Sequence, residues 1–573
     1  MPYFSMSKTF LVYPYTVDDE GLKQLDEFLL LLDRSNVGEI IKNEVQQELK
    51  TTGRPGYNPY KLFAVILYSF SKGMYSLRKI EEYCKYDLRY LLIMDGDKPS
   101  YVTISKFLNN VVVKHLYEIF SLITKAILDF GNLNIDDAFL DGTKIEANAN
   151  KYKFVWKPSK PKKKLFENVK KLLLNYFKLP DKKETFTSFE LANFISKLVD
   201  KIKEEGINVA EIKTGKGIRN PKIVKDYLQL NNFMVKLLEF EEKEEICGPE
   251  RNSYYKTDRD ATAMCLKSDY YSGLGSNMHA AYNLQIIVSK GIVLTFYVSQ
   301  DRNDFYTLIP TLLRFCSDFG YFPKRLCADS GYGSLENYQF LEKRKIGNFV
   351  KYNQWQKFVN GEYSPLFHIV DDDLYCLNNK KAECLSNYNN RHPHRKNYKL
   401  YVIKECKYCR KKEQCMKDLK NKKVNERVFE VSSQLYKYKQ EANDNLLSAK
   451  GIEMRVNRSS QVEGAFGVIK QDMNFTRLKR RGLENVSLEV MMVLLGYNIN
   501  KFFKMINGTF KSNYWVAPEN LCNEVPKIKR KVRNKKKEKS VNQKNKESYK
   551  YKITKNTVGN VIHPKGRSKQ NGT

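Results

Sequence analysis

The sequence predicts a mixed α/β fold behind an all-helical N-terminal region. Two observations carry this. Apolar residues recur at helical spacing from about residue 60 to 130, with only short breaks. From 135 onward the order reads strand, insertion, hairpin, helix, strand, helix, strand, insertion, helix, which mixes antiparallel and parallel pairing. With 573 residues, 42% of them apolar, the chain can bury a sizeable core in two to four domains of roughly 100–200 residues each.

The elements follow in order. EGLKQLDEFLLLLDR places Leu22, Leu25, Phe28 and Leu29 on one helix face, and TTGRPGYNP then reads as a loop. Tyr60–Phe70 is a nearly continuous apolar helix. Ser76 is placed to cap SLRKIEEYCKYD, Leu88–Met94 follows, and Ser100 or Thr103 opens the next helical stretch. Short helices with brief turns suit a helix-turn-helix-like module as well as an ordinary helical subdomain. Lys79, Lys85, Arg89 and Lys106 supply charge for DNA. Residues 135–147 read as a strand and its turn. Residues 150–250 read as a Lys/Glu-rich helical hairpin or arm. Two β-rich runs flank Ser289-Lys290-Gly291, a hairpin signal. Residues 352–450 look irregular and hold the clustered cysteines; 456–472 and 484–505 read as helices.

Charge narrows the partners. Lys plus Arg number 99 against 65 Asp plus Glu, a net charge of +34 that points to a polyanion, nucleic acid before anionic membrane. No apolar run is long enough for a transmembrane helix and the N-terminus has no secretory pattern, so no membrane role is expected. Mostly isolated cysteines suit a reducing cytoplasm.

Three acids stand in conspicuous places. Asp141 lies inside the apolar strand AFLDGTKIEA, Asp329 ends RLCAD, and Glu463 sits on the helix RSSQVEGAFGVIK. An acid in an apolar strand is costly unless paired or bound to a cation. Converging carboxylates suit hard divalent cations in phosphodiester chemistry. The plain alternatives are a turn led by Asp141 and Gly142, an Asx-turn at Asp329, and a solvated Glu463.

FLDGTKIEANANKYKFVW, then Tyr282, Asn283 and Gln285, then DRNDFYTLIP, CADSGYGSLENY and NRSSQVEGAFGVIKQD resemble, in this order, the DDE transposases of bacterial insertion sequences. YNPYKLFAVILYSFSKGMYSLRKIEEYCKYDLRYL resembles the helical domain that precedes their catalytic domain, and the whole resemblance spans roughly residues 40–500. It implies an RNase H-like catalytic domain at 135–500, with a helical insertion at 150–275 and a cysteine-containing insertion at 355–450. A helical DNA-binding domain at 1–130 would precede it and a basic, disordered tail at 525–573 would follow. It also implies two Mg²⁺ ions, replaceable by Mn²⁺, on Asp141, Asp329 and Glu463. The expected activity is cleavage of element ends and strand transfer into target DNA by a homodimer in a bacterial cytoplasm, associated with the nucleoid. A nuclease without strand transfer and an inactive DNA-binding descendant are the rivals. Arg458 and Lys470 are candidate phosphate contacts, as is Lys106 in the helical region. Lys470 keeps the family's seven-residue step from Glu463, whereas Arg458 stands five residues before it instead of four.

Other residues are open to two readings. Cys406, Cys409 and Cys415 form C-x₂-C-x₅-C, and with Cys376 or Cys384, or with His392 and His394, would close a structural zinc site; free thiols are the alternative. Asp304 reads as a helix cap or as a neighbour of the metal site, His279 as structural or solvated, and Trp355 as a packed residue or a base-stacking one. Lys527–Lys537 would grip phosphates without reading sequence, or merely solubilise.

Overall fold

The structure is a computed structural model of the chain. It describes residues 19–48, 56–180, 182–215, 218–249, 251–266, 278–362, 365–385, 397–416, 425–512 and 514–518. The expected basic tail, Lys527–Lys537 included, and His392 and His394 lie outside the described residues. Two units are distinguished, residues 1–355 with 365–523 and residues 356–364 with 524–573. The account below concerns the first, apart from residues 356–359 of one short helix, which belong to the second.

Seven helices open the described chain: α1 (Asp19–Arg34), α2 (Val37–Glu48), α3 (Pro59–Ser71), α4 (Leu77–Tyr86), α5 (Leu88–Ile93), α6 (Tyr101–Asn110) and α7 (Leu116–Phe130). Asn58 caps α3 by accepting from the N–H groups of Tyr60 and Lys61, with Pro59 in the first turn. Ser100, not Thr103, caps α6. Ser76 precedes α4 without a side-chain cap bond, its hydroxyl not reaching the first turn.

The core sheet comes next. Its strands are β1 (Asp137–Glu146), then, past the ribbon β2 (Phe154–Trp156) and β3 (Ser253–Tyr255), β4 (Thr262–Cys265), β5 (Met278–Ser289), β6 (Ile292–Ser299), β7 (Arg325–Ala328) and β8 (Gly347–Val350). The spatial order is β6-β5-β1-β7-β8, with β4 on the same edge of β5 as β6. β1 pairs antiparallel with β5 and parallel with β7; β7 pairs parallel with β8. Three antiparallel strands followed by two parallel ones make the RNase H-like mixed sheet that the resemblance implies. The β5–β6 hairpin turns at Lys290 and Gly291, both at positive φ, as a two-residue turn matched to strand twist requires.

The insertion after β1 holds α8 (Ser159–Leu173), α9 (Ser188–Glu204) and α10 (Lys222–Cys247). Leu165, Val169, Leu191, Leu198, Leu230 and Leu237 give these helices a core of their own, so the segment is a three-helix cluster and not a bare hairpin. After β6 come α11 (Leu308–Phe319) and α12 (Leu335–Lys343). Residues 352–450 hold more order than expected. After α13 (Trp355–Val359) they contain the hairpin β9 (Phe367–Val370) and β10 (Asp373–Cys376), then β11 (Glu383–Leu385), β12 (Lys399–Ile403), α14 (Lys412–Cys415) and β13 (Arg427–Val431). β11, β12 and β13 form an antiparallel sheet packed over Leu374, Tyr401, Ile403 and Phe429. Such short strands alternate too few apolar residues to stand out from a polar background.

α15 (Ser433–Leu447) and α16 (Ala449–Arg458) bring the chain back to β8, β1 and β7. From Ala449 the helix runs on to Asp472 through a π-turn at Ser459–Glu463, α17 (Gly464–Gly467) and a second π-turn at Val468–Asp472. α18 (Leu483–Ile506) is buried along most of its length and packs against α3, α7 and β6. Asn498 bonds both the N–H (2.9 Å) and C=O (2.8 Å) of Val293, tying α18 to β6. Among the described residues, no helix is long and apolar enough to cross a membrane.

Candidate active site

The sheet brings two of the three acids together. β1 and β7 run parallel with Leu140 opposite Ala328, so the next residues, Asp141 and Asp329, stand side by side where β7 ends. Asp141 sits in mid-strand, paired with Ile286 of β5, and leads no turn. Its Oδ1 accepts from the Gly142 N–H at 2.8 Å.

The third acid joins through a cation. Arg458, its side chain only 8% exposed, donates from Nη1 to Asp141 Oδ2 at 2.8 Å and from Nη2 to Glu463 Oε1 at 3.4 Å. The π-turn explains the five-residue step. A wider turn takes in one extra residue, so side chains five apart return to the same face. Ser459 Oγ also donates to Glu463 Oε2 at 2.9 Å. Arg458 is thus turned toward the carboxylates and buried, where the sequence assigned it to phosphate.

Electrostatics follow from this packing. Burial pushes the Asp141 carboxyl up, Arg458 opposes the shift, and the neighbouring Asp329 adds to it. Burial also pushes Asp329 up, but Lys351 and Arg458 outweigh it and hold its carboxyl below the usual range. Lys351, just past β8, lies 3.5 Å from Asp329 Oδ1. Burial lowers the Arg458 guanidinium, while Asp141 and Asp329 more than restore it.

A polar network lies alongside. Asp304 Oδ1 accepts from Asn283 Nδ2 (2.8 Å) and Gln285 Nε2 (3.2 Å), and the Tyr332 O–H donates to Gln285 Oε1. Asp304 therefore anchors β5 side chains and does not cap a helix. Gly142 makes room for Gln285: a Cβ there would lie 2.8 Å from the Gln285 Cδ. Lys470 Nζ donates to Thr143 Oγ1 at 2.5 Å, two residues along β1 from Asp141. Lys106 is exposed on α6. On the same helix Ser105 and Asn109 line a cavity of about 470 Å³ together with Lys479, Arg480 and Arg481.

Sequence reading missed Lys351 and Ser459, and it did not foresee the bonds that join Asn283, Gln285 and Asp304 with Tyr332, although a place beside the site was one of its two readings of Asp304. The only signal for Lys351 was its place directly after a strand. Trp355 is buried, between Lys351 (5.6 Å) and Arg455 (4.9 Å), and takes the packing role of its two readings. His279 is buried on β5. Asp258 and Asp260 accept from the N–H groups of Gly482 and Leu483, neutralising the N-terminus of α18.

Carboxylate oxygens are the donors a hard divalent cation prefers. Among the described residues no three His, Cys, Asp or Glu are gathered to hold a metal. At the acids the reason is local, because Arg458 stands between Asp141 and Glu463. The donor types fit a cation, and Arg458 now supplies the positive charge they require.

Among the described residues, four cysteines share a cavity without being gathered into a ligand set. Cys376, Cys406, Cys409 and Cys415 line one small cavity of about 20 Å³, whereas Cys384 is exposed. Burial pushes the Cys406 and Cys415 thiols up, and their neighbouring thiols add to this.

Residues 375–503 match the family model described as a transposase DDE domain, and residues 19–110 match that of a transposase domain (DUF772). No curated protein and no solved structure matches the chain.

Proposed function

We propose that this chain, which matches two transposase family models over residues 375–503 and 19–110, binds the ends of an insertion sequence, cuts the DNA strand there and joins the freed 3′-hydroxyl to target DNA. The observation that supports this best is the pairing of Asp141 with Asp329 at the end of two parallel strands, with Glu463 linked to them through Arg458.

Asp141, Asp329 and Glu463 would hold two Mg²⁺, or Mn²⁺ in their place. When bound, these ions supply Lewis-acid neutralisation of the charge that develops on the attacked phosphate. The chain's own residues prepare the place. Arg458 holds the Asp141 and Glu463 carboxylates toward one point, and Lys351 helps hold the Asp329 carboxyl below its usual range. Gly142 lets Gln285 close in behind Asp141, and Asp304 fixes that glutamine. Lys470, which bonds Thr143, would take a phosphate oxygen of the bound strand, and exposed Lys106 would do so in the helical region. Phosphoryl transfer depends on such positioning more than on a protein nucleophile. A homodimer on two paired ends, at the nucleoid, completes the reading.

The test is cleavage and joining of labelled element-end DNA with Mg²⁺ or EDTA, comparing wild type with Asp329→Ala. Nicking and joining that need Mg²⁺ and vanish in the variant are expected. Nicking without joining would leave a nuclease, and binding without any cutting would leave a DNA-binding protein.

The same proposal assigns Cys376, Cys406, Cys409 and Cys415 to a structural Zn²⁺, drawn in as thiolates. Their shared cavity supports this, as does the Asn378 N–H, which donates to Cys376 Sγ at 3.4 Å. Such an ion would staple an insertion whose own core is small.

A further inference from the structure

β2 and β3 leave the sheet as a two-stranded ribbon, with Phe154 opposite Tyr255 and Trp156 opposite Ser253. β3 is buried throughout and anchors the ribbon. The other strand faces out: Phe154 is 44% exposed and Trp156 52%, and Tyr152, in the turn before it, is 80% exposed. Phe154 and Trp156, two residues apart on β2, share one face, and Tyr152 stands in the turn that leads into the strand. Phe154 and Trp156 meet edge to face at 5.7 Å, so each ring supports the other. Leaving three large rings in water is costly unless something covers them.

The surroundings name the cover. Lys153 and Lys256 are exposed and adjacent, joined by the Lys256 N–H donating to the Lys153 C=O at 2.9 Å. Lys151 lies over the Tyr152 ring at 5.3 Å, and Lys160 is exposed beyond β2. A protein partner with an apolar face would have to bury these charges; a nucleic acid strand would pair them with phosphates. The ribbon follows the strand that carries Asp141. β1 continues from Asp141 to Glu146 past the end of β7, where Asp329 stands, and β2 follows. At its foot Arg481 donates to the Asn148 C=O at 2.8 Å, tying it to the basic loop 479–481.

We propose that Tyr152, Phe154 and Trp156 form a stacking platform for unpaired bases of the DNA strand end, with the flanking lysines holding its phosphates. The proposal rests on the transposase reading and deepens it. Ring faces stack on any base, so the platform recognises single-strandedness and not sequence. It would take bases that melt or splay beside the cleavage point. The tryptophan with this role is Trp156, whereas Trp355 is packed away.

The experiment measures binding, in EDTA, of the full chain to two fluorescent probes of one sequence. One is a blunt duplex; the other carries a four-nucleotide single-stranded end containing 2-aminopurine. The expected result is tighter binding of the overhang probe by wild type, with quenched 2-aminopurine. Trp156→Ala with Phe154→Ala should lose about tenfold or more on the overhang and stay within about twofold on the blunt duplex. Trp156→Phe should keep most of the affinity and the quench. Because the replaced side chains are exposed, thermal melting of each variant should match wild type. Equal overhang affinity in variant and wild type overturns the platform. So does an equal loss on both probes, or a variant that abolishes a wild-type dimer on gel filtration, which would make the ribbon a contact between two copies. Wild type that binds neither probe would instead sink the transposase reading itself, so the two failures are distinguishable.

Discussion

Replacing Arg458 by Gln removes the charge that now holds Asp141 and Glu463 together, while keeping length and hydrogen-bonding capacity. At ~4 Å between charge centres and an effective dielectric near 20, one such pair is worth about 4 kcal/mol. Breaking a buried pair costs about 3–5 kcal/mol by mutational precedent, so the two routes agree for Asp141, whose side chain is only 23% exposed. The arm to Glu463 adds little, because that side chain is 58% exposed and the contact is 3.4 Å. We expect a loss of about 3 kcal/mol in EDTA. At ~2 cal/mol/K per residue, a unit this large moves roughly 1 °C per kcal/mol, so the melting temperature should fall by about 3 °C. Adding Mg²⁺ should then separate the two proteins. In wild type the cation must displace Arg458 from the acids, whereas in the variant it enters an uncompensated carboxylate pair. At one hundred times the dissociation constant, binding stabilises by about 2.7 kcal/mol. The variant should therefore gain clearly more from Mg²⁺ than wild type, as read by calorimetry or dye melting. A variant that melts like wild type in EDTA, or that gains no more from Mg²⁺, would refute the idea that Arg458 and the cation compete for one place.

Gly142→Ala should destabilise by about 1–3 kcal/mol, since the new methyl meets a Gln285 already held by Asp304 and Tyr332. Denaturant titration measures this, and Gln285→Ala in the same chain should recover part of the loss. Glu489, buried on α18 and accepting from the N–H groups of Lys479 and Arg480, has its carboxyl pushed up by burial. A raised folded-state value stabilises below the ordinary glutamate range, and that contribution is lost as pH rises through the raised value. Glu489→Gln cannot ionise, so its melting temperature relative to wild type should climb from about pH 5 to about pH 8. A flat difference would refute the assignment. For the cysteines, metal analysis of the purified chain should find one zinc per chain. Cobalt exchange should give a thiolate charge-transfer band, and Cys406→Ser should lower both.

The sequence read without its fold was sufficient for the mixed α/β class and for most elements in their order, because each depends on local pattern; the three acids were singled out only by resemblance to a family. The β5–β6 hairpin was legible from Ser289-Lys290-Gly291, and the long helices from their periodicity. The sheet in the cysteine-containing insertion was not legible, since its strands are three to five residues long and bury little.

What the sequence by itself determined about this protein is its basic, mixed α/β character and the residue types able to do phosphodiester chemistry. Only the tertiary structure decided which of them meet. Asp141 and Asp329 are 188 positions apart, and nothing local records that β1 and β7 pair in parallel with those residues at the shared end. The π-turn that returns Arg458 to the face of Glu463 is a packing outcome with no sequence period of its own. Burial sorted the tryptophans in the same way. Trp355 and Trp156 both lie in aromatic, lysine-rich segments, yet one is 1% exposed and the other 52%, because one is packed between Lys351 and Arg455 and the other stands on a ribbon whose partner strand is the buried one.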